Sequence, residues 1–158
     1  MAETLGSLCD KLTIVKLKQW HSDDPARSAS LDTQERRLSA EIDGFIALAA
    51  RGGIPREQLS FAANKIYKKE GNEIAAVSGG IGELFAQLAH VNCALWHEQE
   101  KVYEFDKVPP GDKDAVVKQL ALLNLRRNQC IDGIDRNFAA LIEGADKTSP
   151  GKQAPHAP

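Results

Sequence analysis

Apolar residues recur along almost the whole chain at a spacing near 3.6, the period of an amphipathic helix, and no stretch alternates as a strand would. On a helical wheel, Leu5, Leu8, Leu12 and Val15 form one face of a first helix, predicted over roughly residues 5–22. Leu31, Leu38, Ile42, Phe45, Ile46 and Ala49 do the same for a second, over roughly 31–51. Leu59, Ala62, Ala63 and Ile66 give a third, roughly 55–70, a weaker face. Ile81, Leu84, Leu88, Leu95 and Val102 mark a fourth, roughly 81–105, and Val116, Leu120, Leu123, Ile134 and Leu141 a fifth, roughly 113–144.

Punctuation falls between these stripes. Ser7 and Asp10 have the spacing of a capping box at the first helix. Pro25 disfavours helical geometry in the residue before it, so Ser22-Asp23-Asp24-Pro25 should close that helix. Gly52-Gly53 suits a helix C-terminus and Pro55 a helix first turn. Ser78-Gly79-Gly80-Ile81-Gly82 precedes the fourth helix, and Pro109-Pro110-Gly111 with Asp112 as cap precedes the fifth. The predicted fold is all-α, an up-and-down helical bundle of four long helices plus a shorter cross-helix. It should occupy residues 1–145 as one domain. The last stretch, 146–158, reads DKTSPGKQAPHAP and lacks apolar content, so a disordered tail is expected.

Polar residues interrupt three of the apolar stripes. Lys16 falls on the first, Asn92 and Gln99 on the fourth, and Arg127 on the fifth. Glu35 shares a face with Leu31, Ile42 and Ala49. Buried polar groups are costly unless paired, and a guanidinium keeps its charge, so an interior Arg127 requires a carboxylate or an anionic ligand. Lys16, Glu35, Asn92, Gln99 and Arg127 are therefore expected to meet in one shielded network. It serves either to fix helix register or to hold a ligand between facing helices.

Trp20-His21 and Trp96-His97 form a second group, each pair in the C-terminal half of a helix. They read either as packing with solvated histidines or as a pocket in which Trp96 is an aromatic wall and His21 or His97 a proton carrier. Metal chemistry lacks its spacing. There is no Glu-x-x-His pair, His97-Glu98 has no second His, and His90 and His97 lie about 10 Å apart along the axis. No metal site is expected, and no cofactor is indicated. The glycine cluster has neither a preceding strand nor a following Walker-type lysine, so it reads as a turn rather than a phosphate cradle.

Composition narrows the classes. The 158 residues carry a formal net charge of −2, which argues against a nucleic-acid partner. No apolar run approaches the ~20 residues of a membrane span, and MAETLGSLCDKL lacks a basic start followed by an apolar stretch. Cys9, Cys93 and Cys130 are odd in number and lack metal-type spacing, which suits reduced thiols in the cytoplasm.

Leu8-Cys9-Asp10-Lys11-Leu12-Thr13-Ile14-Val15 with Leu17-Lys18-Gln19-Trp20-His21, Asn92 with Leu95-Trp96-His97, and Leu123-Asn124 with Arg126-Arg127-Asn128 and Ile131-Asp132 resemble the helices of a bacterial family, domain of unknown function 4254. The resemblance implies an all-helical bacterial protein of unassigned activity, associated with surface-polysaccharide and glycosyltransferase gene groups. It places family motifs on Asp10, Lys11, His21, Asn92, Trp96, Arg127 and Asn128. Two functions are expected. The first is a non-catalytic accessory or ligand-binding protein, a homo-oligomer through its fifth helix. The second is a small bundle enzyme on a phosphorylated or nucleotide-sugar substrate. There Lys16 and Arg127 would hold an anionic small molecule, Trp96 would stack on a ring, and His21 or His97 would move a proton.

Overall fold

The computed structural model describes residues 2–61 and 76–148. Among these the protein is all-α: α1 spans Leu5–Trp20, α2 Pro25–Ala50, α3 Ile81–Tyr103 and α4 Lys113–Thr148, with 3-10 turns between them and no strand. The predicted first, second, fourth and fifth helices are thus all present. Of the predicted third, 55–61 fall in the described residues, where they form a 3-10 turn at Arg56–Gln58 followed by the buried Leu59; 62–75 lie outside them.

Helix ends explain where the boundaries moved. α1 is capped one turn earlier than expected. Thr4 Oγ1 accepts from the Ser7 amide at 3.2 Å, and Ser7 Oγ accepts from the Thr4 amide at 2.8 Å. That arrangement completes the box without Asp10. Pro25, expected to terminate, instead opens α2 as its first helical residue, where its missing N–H costs nothing. Asp24 caps it by accepting from the Ala26 amide at 3.0 Å. At the other end Gly52 takes a left-handed φ of 72°. Its amide reaches Ala49 O at 3.0 Å and that of Gly53 reaches Leu48 O at 2.9 Å, a Schellman closure. The fifth stripe was predicted to stop at 144, yet α4 continues to Thr148 and takes in the first residues of the expected tail; 149–158 lie outside the described residues.

Side-chain pairings fix how the helices run. Lys16 meets Glu35 while Gln19 meets Asp32, so α1 and α2 are antiparallel. Gly6 meets Asp135 while Asp10 meets Arg127, so α1 and α4 are antiparallel as well. Asn137 reaches Gly79 O at 2.8 Å and Leu84 lies against Gly133, which sets α3 antiparallel to α4. α1 therefore touches α2 on one side and α3 and α4 on the other. The core joins Leu5, Ala49, Leu59, Leu88, Ile134 and Phe138, all buried. Val102 and Leu141, assigned to the apolar stripes by period, are exposed; near Leu141 it is Phe138 and Ile142 that turn inward. Among the described residues no helix is long and apolar enough to cross a membrane.

Candidate functional site

The centre of the interior polar set is Asp10, 5 % exposed. Its carboxylate accepts from Arg127 through both Nε, at 2.8 Å, and Nη2. This is the bidentate fork that suits a planar guanidinium. Asn92 Nδ2 donates to Asp10 Oδ1 at 2.9 Å and to Thr13 Oγ1 at 2.7 Å, and the Thr13 hydroxyl donates to the Asp10 carbonyl at 2.8 Å. The hydrogen bond to Asp10 raises the pKa of Arg127 further. Three helices are tied together by one carboxylate. The expected need of Arg127 for an anion is met by a residue of the chain itself.

Next to this network a groove of about 590 Å³ opens between α1, α3 and α4. Asn92, Trp96, Gln99 and Arg127 line it, together with Lys18 and Tyr103. Three of the residues singled out by periodicity, Asn92, Gln99 and Arg127, thus share one cavity with Trp96. No carboxylate belongs to its described lining. Because Asp10 neutralises Arg127 from behind, Lys18 is the cation left uncompensated at the groove among the described residues. With both Nδ2 hydrogens committed, Asn92 has its acceptor, Oδ1, left to offer.

Trp96 is held from outside the groove. His21 stacks on its indole with centroids 4.7 Å apart and planes 18° apart, and its Nε1 donates to Glu100 at 2.9 Å. His97 meets His21 edge-on at 5.9 Å, and its Nδ1 lies 3.2 Å from the other Glu100 oxygen. These contacts, His97 foremost, hold Glu100 below the usual carboxylate range. His21 Nδ1 lies 2.8 Å from the Leu17 carbonyl oxygen. The two Trp-His pairs were read separately from sequence. In space His21, Trp96 and His97 form one cluster, and Trp20 is left 87 % exposed.

The single shared network expected from the stripes does not form. Lys16 and Glu35 pair with each other at 3.0 Å on the α1–α2 seam, with the Lys16 side chain 57 % exposed. Gln19 bridges Glu35 and Asp32 at 2.7 and 2.8 Å, and with Lys16 it holds Glu35 below its ordinary pKa. Gln99 is exposed and reaches only Tyr103 Oη, at 3.4 Å. Lys16 and Gln19 turn to α2, whereas Asp10 and Thr13 meet Arg127 and Asn92, so the two sets use different faces of α1.

A second buried carboxylate, Asp135, was not anticipated as a site residue. It accepts from the Gly6 amide at 2.7 Å, and burial raises its pKa against the pull of Gly6 and Thr4. Burial, then Asp135 and Asp10, pushes the Cys9 thiol up to about 11, so Cys9 stays an unreactive thiol near neutral pH. At the glycine cluster the Glu83 carboxylate already accepts from the Gly80 amide at 2.9 Å, which fits a turn rather than an anion cradle. Among the described residues no group of three His, Cys, Asp or Glu is placed to hold a metal ion. In comparisons with protein-family models, curated proteins and solved structures, nothing matches the chain.

Proposed function

We propose that this protein is a non-catalytic binding module that takes an anionic small molecule in the α1–α3–α4 groove. Its helices are read as an up-and-down bundle, and the groove is the kind of site such bundles build between facing helices. The observation that carries the reading is the composition of that groove: Lys18, Arg127, Asn92, Gln99 and Trp96 around one cavity with no carboxylate in its described lining. The resemblance to the domain of unknown function 4254 supports a cytoplasmic accessory role in bacterial surface-polysaccharide assembly. Val117 and Leu141, 55 % and 59 % exposed on α4, support a homo-oligomer. A strict monomer at high micromolar concentration by light scattering would remove that last element.

The binding reading is tested by thermal shift against a panel of small anions, inorganic phosphate and sulfate included. A ligand at ten times its Kd stabilises by about 1.4 kcal/mol, raising Tm by roughly 3–5 °C in a chain of this size. Lys18→Ala should abolish the shift. If no anion moves Tm, or the shift survives that substitution, the reading fails.

A second reading, an enzyme on a phosphorylated or nucleotide-sugar substrate, is favoured by one observation: His21 stacks on Trp96 at the groove's wall, and His97 meets His21 edge-on. Turnover of a sugar nucleotide or sugar phosphate, followed by phosphorus NMR and lost in His97→Ala, would favour it over the binding module.

A further inference from the structure

The groove's hydrogen-bonding balance says more about its ligand than its charge does. We infer that the ligand is a sugar carrying a single anionic group, a phosphate or a carboxylate; this rests on the anion-binding reading of the same groove.

The uncommitted groups both accept and donate. Asn92 is 4 % exposed, and its orientation is fixed because only Nδ2 can donate to the Asp10 carboxylate. Its Oδ1 is therefore a rigid acceptor at the groove. Asn124 uses Nδ2 on the Leu120 carbonyl at 3.0 Å, and Gln99 uses Nε2 on Tyr103, leaving each with its amide oxygen and one N–H uncommitted. Three amide groups, two on α3 and one on α4, call for a ligand with several groups that both donate and accept. Hydroxyls on a ring supply them, whereas a simple anion or an aromatic acid does not.

The remaining groups complete the match. Lys18 is one uncompensated cation, which suits one anionic group and not a polyphosphate, whose charge would call for several. Leu95, Trp96 and Tyr103 give an apolar and aromatic wall for the C–H face of a ring. That wall is preorganised, since His21 and Glu100 hold the indole in place. A cavity of about 590 Å³ accommodates a monosaccharide with its charged substituent.

The test is calorimetric titration of the full chain with matched probes: glucose 6-phosphate and glucuronate as charged sugars, phenyl phosphate as a charged ring without hydroxyls, inorganic phosphate as the bare anion, and glucose as a neutral sugar. One charged sugar should bind at least about ten-fold more tightly than phenyl phosphate and glucose, the gain from a net hydrogen bond or two. Whichever is tighter identifies the charged group as phosphate or carboxylate. Gln99→Leu and Asn124→Leu lie at exposed positions and should keep the helical circular-dichroism signal. They should lower charged-sugar affinity about ten-fold and phenyl phosphate affinity by a clearly smaller factor, whereas an equal loss for both probes would count against the sugar assignment. Equal affinity for phenyl phosphate and both charged sugars overturns the sugar assignment but leaves the anion site standing. Failure of all charged probes, inorganic phosphate included, overturns both.

Discussion

Replacing Asp10 by Asn tests whether one carboxylate organises the interior. The substitution keeps the shape and removes the charge, leaving the Arg127 guanidinium with one neutral acceptor where it had a bidentate anion. Breaking a fully buried ion pair by neutralising one partner costs about 3–5 kcal/mol. Asp10 is nearly inaccessible, but the Arg127 side chain keeps 29 % of its exposure, so water recovers part of the loss. The expected cost is about 2–3 kcal/mol, a fall in Tm of roughly 5–10 °C. Arg127→Met should cost a similar amount by stranding the carboxylate. The double variant removes both charges, and its cost should fall short of the sum of the singles by about 2 kcal/mol. Urea denaturation followed by helical circular dichroism measures all four corners of the cycle. Additive single effects, or an Asp10→Asn cost below about 0.5 kcal/mol, would refute the claim that Asp10 and Arg127 act as a buried pair.

Other consequences are sharp enough to measure. Because burial raises the Asp135 pKa, its contribution to stability is fully present below the unfolded value of 3.8 and declines as pH rises through the folded value. Asp135→Asn should flatten that acid-side slope in a series of urea melts, and retention of the wild-type slope would assign it elsewhere. Gly6→Ala would put a Cβ 2.5 Å from the Ile131 carbonyl oxygen and 3.0 Å from Asp135 Oδ1, so α1 must shift from α4 at a cost of about 1–3 kcal/mol, read from the unfolding midpoint. Lys16→Ala should leave Tm within about one degree, since the Lys16–Glu35 pair is on the surface; a large loss would place that pair in the interior. Cys9 should resist iodoacetamide in the folded protein at neutral pH and react on unfolding, as followed by intact-mass spectrometry.

Period alone located the helices because each buries a continuous stripe, and it found Asn92 and Arg127 because both interrupt such stripes. It missed Asp10 for a definite reason. α1 is covered on two sides, and its second buried face, Gly6, Asp10 and Thr13, is polar. A wheel centred on Leu5, Leu8, Leu12 and Val15 turns that face toward solvent. The Ser7–Asp10 spacing also suggested a local role for Asp10, which the Thr4–Ser7 box in fact fills. The resemblance motif contained Asp10, but without a partner. Lys16 and Glu35 were placed inward by the same wheels, because angular position cannot distinguish a stripe's centre from its edge when the long side chain there reaches water. The His21–Trp96–His97 cluster joins residues far apart in sequence, and no spacing rule foreshadows such a contact.

The central claim, a ligand groove organised between α1, α3 and α4, is tested most directly by NMR titration with inorganic phosphate. Side-chain amide signals of Asn92, Gln99 and Asn124 and the Trp96 indole signal should move together along one saturating curve, while the Gln19 amide on the α1–α2 seam stays fixed. Movement of Gln19 to the same extent, or no movement of the groove signals up to solubility, would contradict it.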